Sequence, residues 1–173
     1  ERVGLGKRRE NFAEAVGVER GGGGDGGAHG CHWFAGGAGV SPPSRRMTVI
    51  GVTGTKGKTT VVELLHSILE ASGARVASLS SLRFRIGDHE IRNEKKMTMP
   101  GRLFVQRFLH RALRAGCTHV VMEVTSQGIE QFRHRFIDFN IAVVTNVAPE
   151  HIESHGSFER YLRSKLDLFW RLP

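Results

Sequence analysis

The sequence predicts an α/β fold, a mostly parallel sheet with helices on both faces. Two observations predict it. From Met47 onward, short β-rich runs alternate with segments of helical period. The first such run passes into the first helix through a glycine-rich turn, "GVTGTKGKTT" (Gly51–Thr60).

Residues 1–46 differ in texture from the rest. "GVERGGGGDGGAHG" and "FAGGAGVSPPS" have no helical or strand period. Such a segment buries too little apolar surface to offset its ordering entropy. Residues 1–46 are therefore expected to be a glycine-rich, poorly ordered segment, with at most a short helix in "RRENFAEAV", ahead of one unit over 47–173.

That unit reads in order. "MTVIGVT" is a first strand. "KTTVVELLHSILEASG" is a helix with Val61, Leu64, Leu65, Ile68 and Leu69 on its apolar face, ended by Gly73. "ARVASLSS" is a second strand, and "FRIGDHEIR" a hairpin turning at Gly87–Asp88. Pro100 opens a helix, "PGRLFVQRFLHRALRAG", that Gly116 closes. "THVVMEVTS" is a buried strand, "QGIEQFRHR" a short helix, "FNIAVVTNV" a further strand and "SFERYLRSKLDLFWRL" an amphipathic helix. No internal repeat is present.

Composition narrows the classes. No run of 18 apolar residues occurs, so no membrane span is expected. No secretory signal is visible, and the chain opens on Glu1, so a preceding segment and a cytoplasmic setting are expected. Cys31 and Cys117 form no CxxC pair or zinc-like spacing and are expected to be reduced thiols. A net charge of +8 suits anionic partners. Its arginines are scattered without an aromatic-interleaved stripe, which argues against nucleic acid.

The stretch Gly51–Thr60 holds three glycines, two lysines and four threonines. Glycines let a backbone turn tightly and point its N–H groups inward. A helix N-terminus adds partial positive charge and unpaired donors. Lys58 is placed to reach β- and γ-phosphates, and the Thr59 hydroxyl to ligate Mg²⁺. The strict phosphate-loop pattern, G-x-x-x-x-G-K-[ST], would need glycine at Val52, so the pattern here is a variant.

Four segments in order carry a resemblance: "GTKGKTT", "MEVTSQGIEQFRHR", "AVVTNVAPEHIESHGSFERYL" and "SKLDLF". Together they resemble the central ATP-binding domain of the Mur ligase family over residues 47–172, closest to the tripeptide synthetase branch. The departures are Lys56 where the family usually has Asn, Glu150 in its Asp-His pair, Thr125 as the first of its paired serines, and "TMP" at Thr98–Pro100.

The resemblance implies roles. Gly54, Thr55, Lys56, Gly57, Lys58, Thr59, Thr60 and Asn146 would bind ATP. Thr59, Glu123 and His151 would serve Mg²⁺, as would Lys165 if carbamylated by CO₂. Lys58 and Lys165 would be catalytic. Thr98, Met99, Pro100, Ser126 and Arg133 would contact a UDP-N-acetylmuramoyl-peptide. Bland alternatives stand beside three of these: Glu123 as a strand-end carboxylate paired with an arginine, Arg133 as a surface charge, and Lys165 as a helix-surface lysine. His110, His119 and Met122 are read as packing or surface residues.

The implied activity is ATP-dependent amide ligation through an acyl phosphate, joining an amino acid to the UDP-sugar peptide. Family members carry three domains, so this chain is expected to be a fragment that binds Mg-ATP without ligating. Two other classes remain open: a folylpolyglutamate- or cyanophycin-synthetase relative, and a non-catalytic basic binding module.

Overall fold

The structure is a computed structural model and describes residues 41–94, 97–148, 158–166 and 168–172. Six strands make one sheet: β1 (Thr48–Thr53), β2 (Val76–Leu79), β3 (Arg83–Ile86), β4 (His89–Arg92), β5 (His119–Glu123) and β6 (Ile141–Val144). Their order is β4-β3-β2-β5-β1-β6. β1 runs parallel to β5 and β6, and β2 parallel to β5. The hairpin β3–β4 adds two antiparallel pairings at one edge. Among the described residues the α-helices are α1 (Lys58–Ala71), α2 (Arg102–Arg114), α3 (Ser126–Glu130) and α4 (Phe158–Leu166). Among the described residues no helix is long and apolar enough to cross a membrane.

The period-two alternation of the strands divides the core. Val49, Val120 and Met122 face α2 and pack with Val105, Phe108, Leu109, Phe139 and Leu168. Ile50, Val52 and Val121 face α1 and pack with Val62 in a smaller cluster. Glu123 shares the parity of Val121, which directs its carboxylate to the α1 side, beside the loop after β1.

Helix α1 departs from its expected face. Leu64 and Ile68 are 56% and 62% exposed, while His66 is buried. The cause is a polar contact with the sheet. Glu63 accepts from Nη2 of Arg83 and Nη2 of Arg85, each at 2.6 Å, which fixes the rotation of the helix over β3. His66 is thereby turned inward, where burial and then the nearby Arg85 charge lower its pKa.

Other boundaries also shift. The helix expected from Pro100 begins at Arg102 with Gly101 at its N-cap. The helix expected over "QGIEQFRHR" ends at Glu130, because Phe132 adopts φ 53° and cannot continue it. The terminal helix stops at Leu166 and resumes as a 3₁₀ turn, Phe169–Arg171. Residues 1–40 lie outside the described residues. Pro43–Arg46 forms a 3₁₀ turn, pinned by Asp138, whose N–H donates to Ser44 Oγ and whose carboxylate pairs with Arg45 at 2.7 Å.

Candidate active site

The site forms at the carboxyl ends of β1, β2 and β5, where parallel α/β sheets hold their ligands. β1 ends in buried Thr53, and the loop turns at Gly54 (φ 143°) and Gly57 (φ 80°). Gly57 is the N-cap of α1 and brings no side chain to its first N–H groups, and the first turn holds no acid. That end of α1 therefore presents unsatisfied amide donors and partial positive charge. Lys58 folds back over the loop, its Nζ donating to Gly54 O at 2.8 Å and Thr55 O at 2.9 Å. Thr60 is exposed in the same first turn.

A chain of hydrogen-bonded oxygen groups runs away from Lys58. Thr59 Oγ1 lies 2.8 Å from Ser81 Oγ. Ser81 donates to Glu123 Oε1 from its backbone N at 2.9 Å and its hydroxyl at 3.2 Å. Glu123 is 1% exposed. Among the described residues its hydrogen-bond donors are those of Ser81 rather than an arginine. No cluster of three His, Cys, Asp or Glu occurs among the described residues. The donor set still suits Mg²⁺, which takes hard oxygens, few of them from the protein and the rest from phosphates and water. His151 and Glu150 lie outside the described residues.

The other side of the loop is held by the segment after β6. Thr55 N donates to Asn146 O at 3.0 Å, and Ala148 N to Thr55 Oγ1 at 3.0 Å. Asn146 meets the Lys56 backbone with both ends of its side-chain amide: Lys56 N donates to Oδ1 at 3.0 Å, and Nδ2 donates to Lys56 O at 3.1 Å. Thr145 Oγ1 donates to the same oxygen at 2.6 Å. From α4, Tyr161 OH lies 2.7 Å from Thr55 Oγ1.

Lys165 stands one turn further along α4. It is 2% exposed, and its Nζ lies 4.4 Å from the centre of the Tyr161 ring. Burial lowers its pKa to about 8. The helix-surface alternative is therefore overturned.

A second group assembles beyond α3. Thr125 caps this helix, accepting from Gly128 N at 3.0 Å, and half-buried Ser126 begins it. Arg133 Nη1 donates to Met99 O, so Arg133 is not a plain surface charge. Met99 and Pro100 are buried and Thr98 half-buried. Met99 packs closely on Gly128, where a Cβ would come 2.5 Å from its sulfur. The structure thus joins the Thr98–Pro100 segment to α3 and Arg133.

Sequence reasoning missed Ser81, Thr145 as a loop contact, and Tyr161. Ser81 ends the "SLSS" run, at the strand end where ligands gather. Tyr161 precedes Lys165 by four residues, the spacing that places two side chains on one helix face.

Residues 52–173 match the Mur ligase middle domain. The chain belongs to the Mur ligase family. It is 40% identical over 129 residues to the UDP-N-acetylmuramyl-tripeptide synthetase of Treponema pallidum, covering 73% of this chain and 24% of that protein. It is 36% identical over 132 residues to a UDP-N-acetylmuramoyl-L-alanyl-D-glutamate–2,6-diaminopimelate ligase of Clostridium acetobutylicum, covering 76% and 27%. The solved structure of another diaminopimelate ligase of that name superposes with a TM-score of 0.65 at 30% identity, over 72% of this chain and 25% of that one. E. coli FolC, solved with DHPP and ADP, shares the fold at a TM-score of 0.55 and 21% identity, over 90% of this chain and 42% of that one. This Mur ligase chain spans about a quarter of the length of the tripeptide synthetase and diaminopimelate ligase it matches.

Proposed function

We propose that this chain is the Mg-ATP-binding part of an ATP-dependent amide ligase that extends a UDP-N-acetylmuramoyl peptide by one amino acid, working in the cytoplasm. The observation that carries the proposal is the line Lys58, Thr59, Ser81, Glu123 at the uncapped N-terminus of α1. It provides a cation, amide donors and hard oxygens at one strand end, the three things a metal-bound triphosphate requires.

In this reading a substrate carboxylate takes the γ-phosphoryl group to form an acyl phosphate, and an incoming amine then displaces phosphate. Gly54–Thr60 and Lys58 bind and orient the triphosphate, and Lys58 stabilises charge on the transferring group. Thr59 and Glu123 would hold Mg²⁺, whose contribution is to neutralise phosphoryl charge. His151, outside the described residues, joins them by resemblance alone. Thr98, Met99, Pro100, Ser126 and Arg133 orient the UDP-sugar peptide, supported by their assembly around α3.

Lys165 is proposed to react with CO₂: its amine nitrogen attacks the carbon and releases a proton, leaving an anionic carbamate oxygen for a metal. Burial and a pKa of about 8 support this, because only the neutral amine reacts. Mass spectrometry of gently prepared protein should show the added mass in wild type and not in Lys165→Ala. An unmodified wild-type chain in bicarbonate at pH 8.5 would refute it.

Calorimetric titration of Mg-ATP tests the main proposal. Wild type should bind and Lys58→Ala should not. A wild-type chain that does not bind, or a variant that binds equally, would overturn it. The 173-residue chain, which spans about a quarter of the length of the ligases it matches, is proposed to form no amide product by itself.

A further inference from the structure

Asn146 touches the loop in a way that only one amide orientation allows. Its Oδ1 faces the Lys56 N–H and its Nδ2 faces the Lys56 carbonyl. Reversal would set donor against donor and acceptor against acceptor. Both side-chain groups are thus committed to the backbone of a single residue, bridging the two peptide units that flank Lys56 between Gly54 and Gly57. Neighbouring bonds converge on the same two residues. Thr145 Oγ1 reaches Lys56 O, Ala148 N reaches Thr55 Oγ1, and Tyr161 OH lies against that hydroxyl. Thr55 N also donates to the Asn146 carbonyl. Five groups outside the loop therefore fix the tip whose amides would meet phosphate.

We propose that Asn146 is a positioning residue that shapes the phosphate loop through the backbone N–H and carbonyl of Lys56, with Tyr161 as the second arm of the same latch, and that it does not contact the nucleotide. This rests on reading the loop as a triphosphate site. A loop held in its binding shape before the ligand arrives saves ordering entropy on binding. The latch also joins β6 and α4 to the loop, so their docking sets loop geometry. The effect should follow the phosphates and be indifferent to the base.

The test uses the whole chain and two probes, Mg-ATP and Mg-tripolyphosphate, which has no base or ribose. Asn146→Leu keeps the side-chain volume and loses both hydrogen bonds. Tyr161→Phe keeps the ring and loses the hydroxyl. Each should weaken both probes by the same factor, about fivefold to tenfold for Asn146→Leu and about threefold for Tyr161→Phe. A merely structural role would lower the melting temperature and leave the affinity of folded protein unchanged. Loss for Mg-ATP alone would make Asn146 a base or ribose contact and overturn the proposal. Hydrogen exchange on the ligand-free chain keeps the latch testable if neither probe binds wild type. The Thr55, Gly57 and Lys58 amides should exchange faster in Asn146→Leu and in Tyr161→Phe. Unchanged exchange in both would overturn the latch, whereas faster exchange without binding would overturn only the triphosphate reading.

Discussion

Two turns in this chain place residues in the left-handed region and fill it oppositely. The loop after β1 uses Gly54 and Gly57; the turn after α3 uses Phe132 (φ 53°) and Phe136 (φ 66°). The difference lies in what stands around them. A Cβ on Gly54 would overlap Thr145 Oγ1, and the Asn146 backbone lies 3.1 Å away. The two phenylalanines point outward, 48% and 63% exposed. There the strain is held by backbone bonds. Phe132 N donates to Ile129 O at 2.9 Å and Arg133 N to Gly128 O at 2.8 Å. Those bonds form a Schellman cap with phenylalanine where glycine is usual. The cap aims Arg133 at Met99. Glycine is thus obligatory where the turn is crowded, while a strained residue is tolerated where the turn is open.

The largest effect that would break this comparison lies at Gly54. Gly54→Ala adds a clash with Thr145 to a left-handed backbone, costing about 3 kcal/mol and moving the loop from its latch. Mg-ATP affinity should fall at least about 100-fold, and urea unfolding should show the stability loss. An alanine variant that binds normally would mean that β6 yields easily and that crowding is not what requires glycine.

The two turns were unequally legible. Gly54, Gly57 and Lys58 were readable because a β-run, glycines and a Lys-Thr pair at a helix start are local and chemically constrained. Glu123 was readable as the acid ending a buried strand. Ser81 was not, because its role comes from parallel β2 and β5 ending together, a contact across 42 residues. The resemblance makes Asn146 an ATP contact, and nothing local in the sequence tells that its side-chain amide meets the N–H and carbonyl of Lys56. The rotation of α1 was hidden too: Leu64 and Ile68 carry the right period, but Glu63 is fixed by two arginines of β3. The Phe turn was invisible, since phenylalanine has no preference for positive φ and "EQFRHR" reads as helix.

Gly57 separates conformation from crowding. Its φ is 80°, yet nothing lies within 4 Å of an added Cβ. Gly57→Ala should cost about 1 kcal/mol in urea unfolding, from backbone strain alone. Mg-ATP binding should stay within about threefold of wild type. A loss as deep as that of Gly54→Ala would show that loop conformation, and not the space beside Thr145, dominates.

The smallest effect has the opposite sign. Phe136→Gly removes a left-handed L-residue strain of about 1–2 kcal/mol and adds a glycine entropy cost of about 0.5–1 kcal/mol. The Gln106 Nε2 bond to the residue 136 carbonyl, 3.0 Å in wild type, survives because it uses backbone. A net gain of about 0.5 kcal/mol should raise the melting temperature by about 2 °C. Phe132→Gly should gain less, because it also loses the Arg135 guanidinium stacked 4.2 Å from the ring centre. Equal gains at both positions would mean that this cation–π contact contributes nothing. A loss at Phe136 would mean that its ring packs usefully despite its exposure, and that the strained turn is held by side chains as well as backbone. That outcome would bring the two turns closer together: both would then be shaped by what the left-handed residue touches, glycine by making room and phenylalanine by filling it.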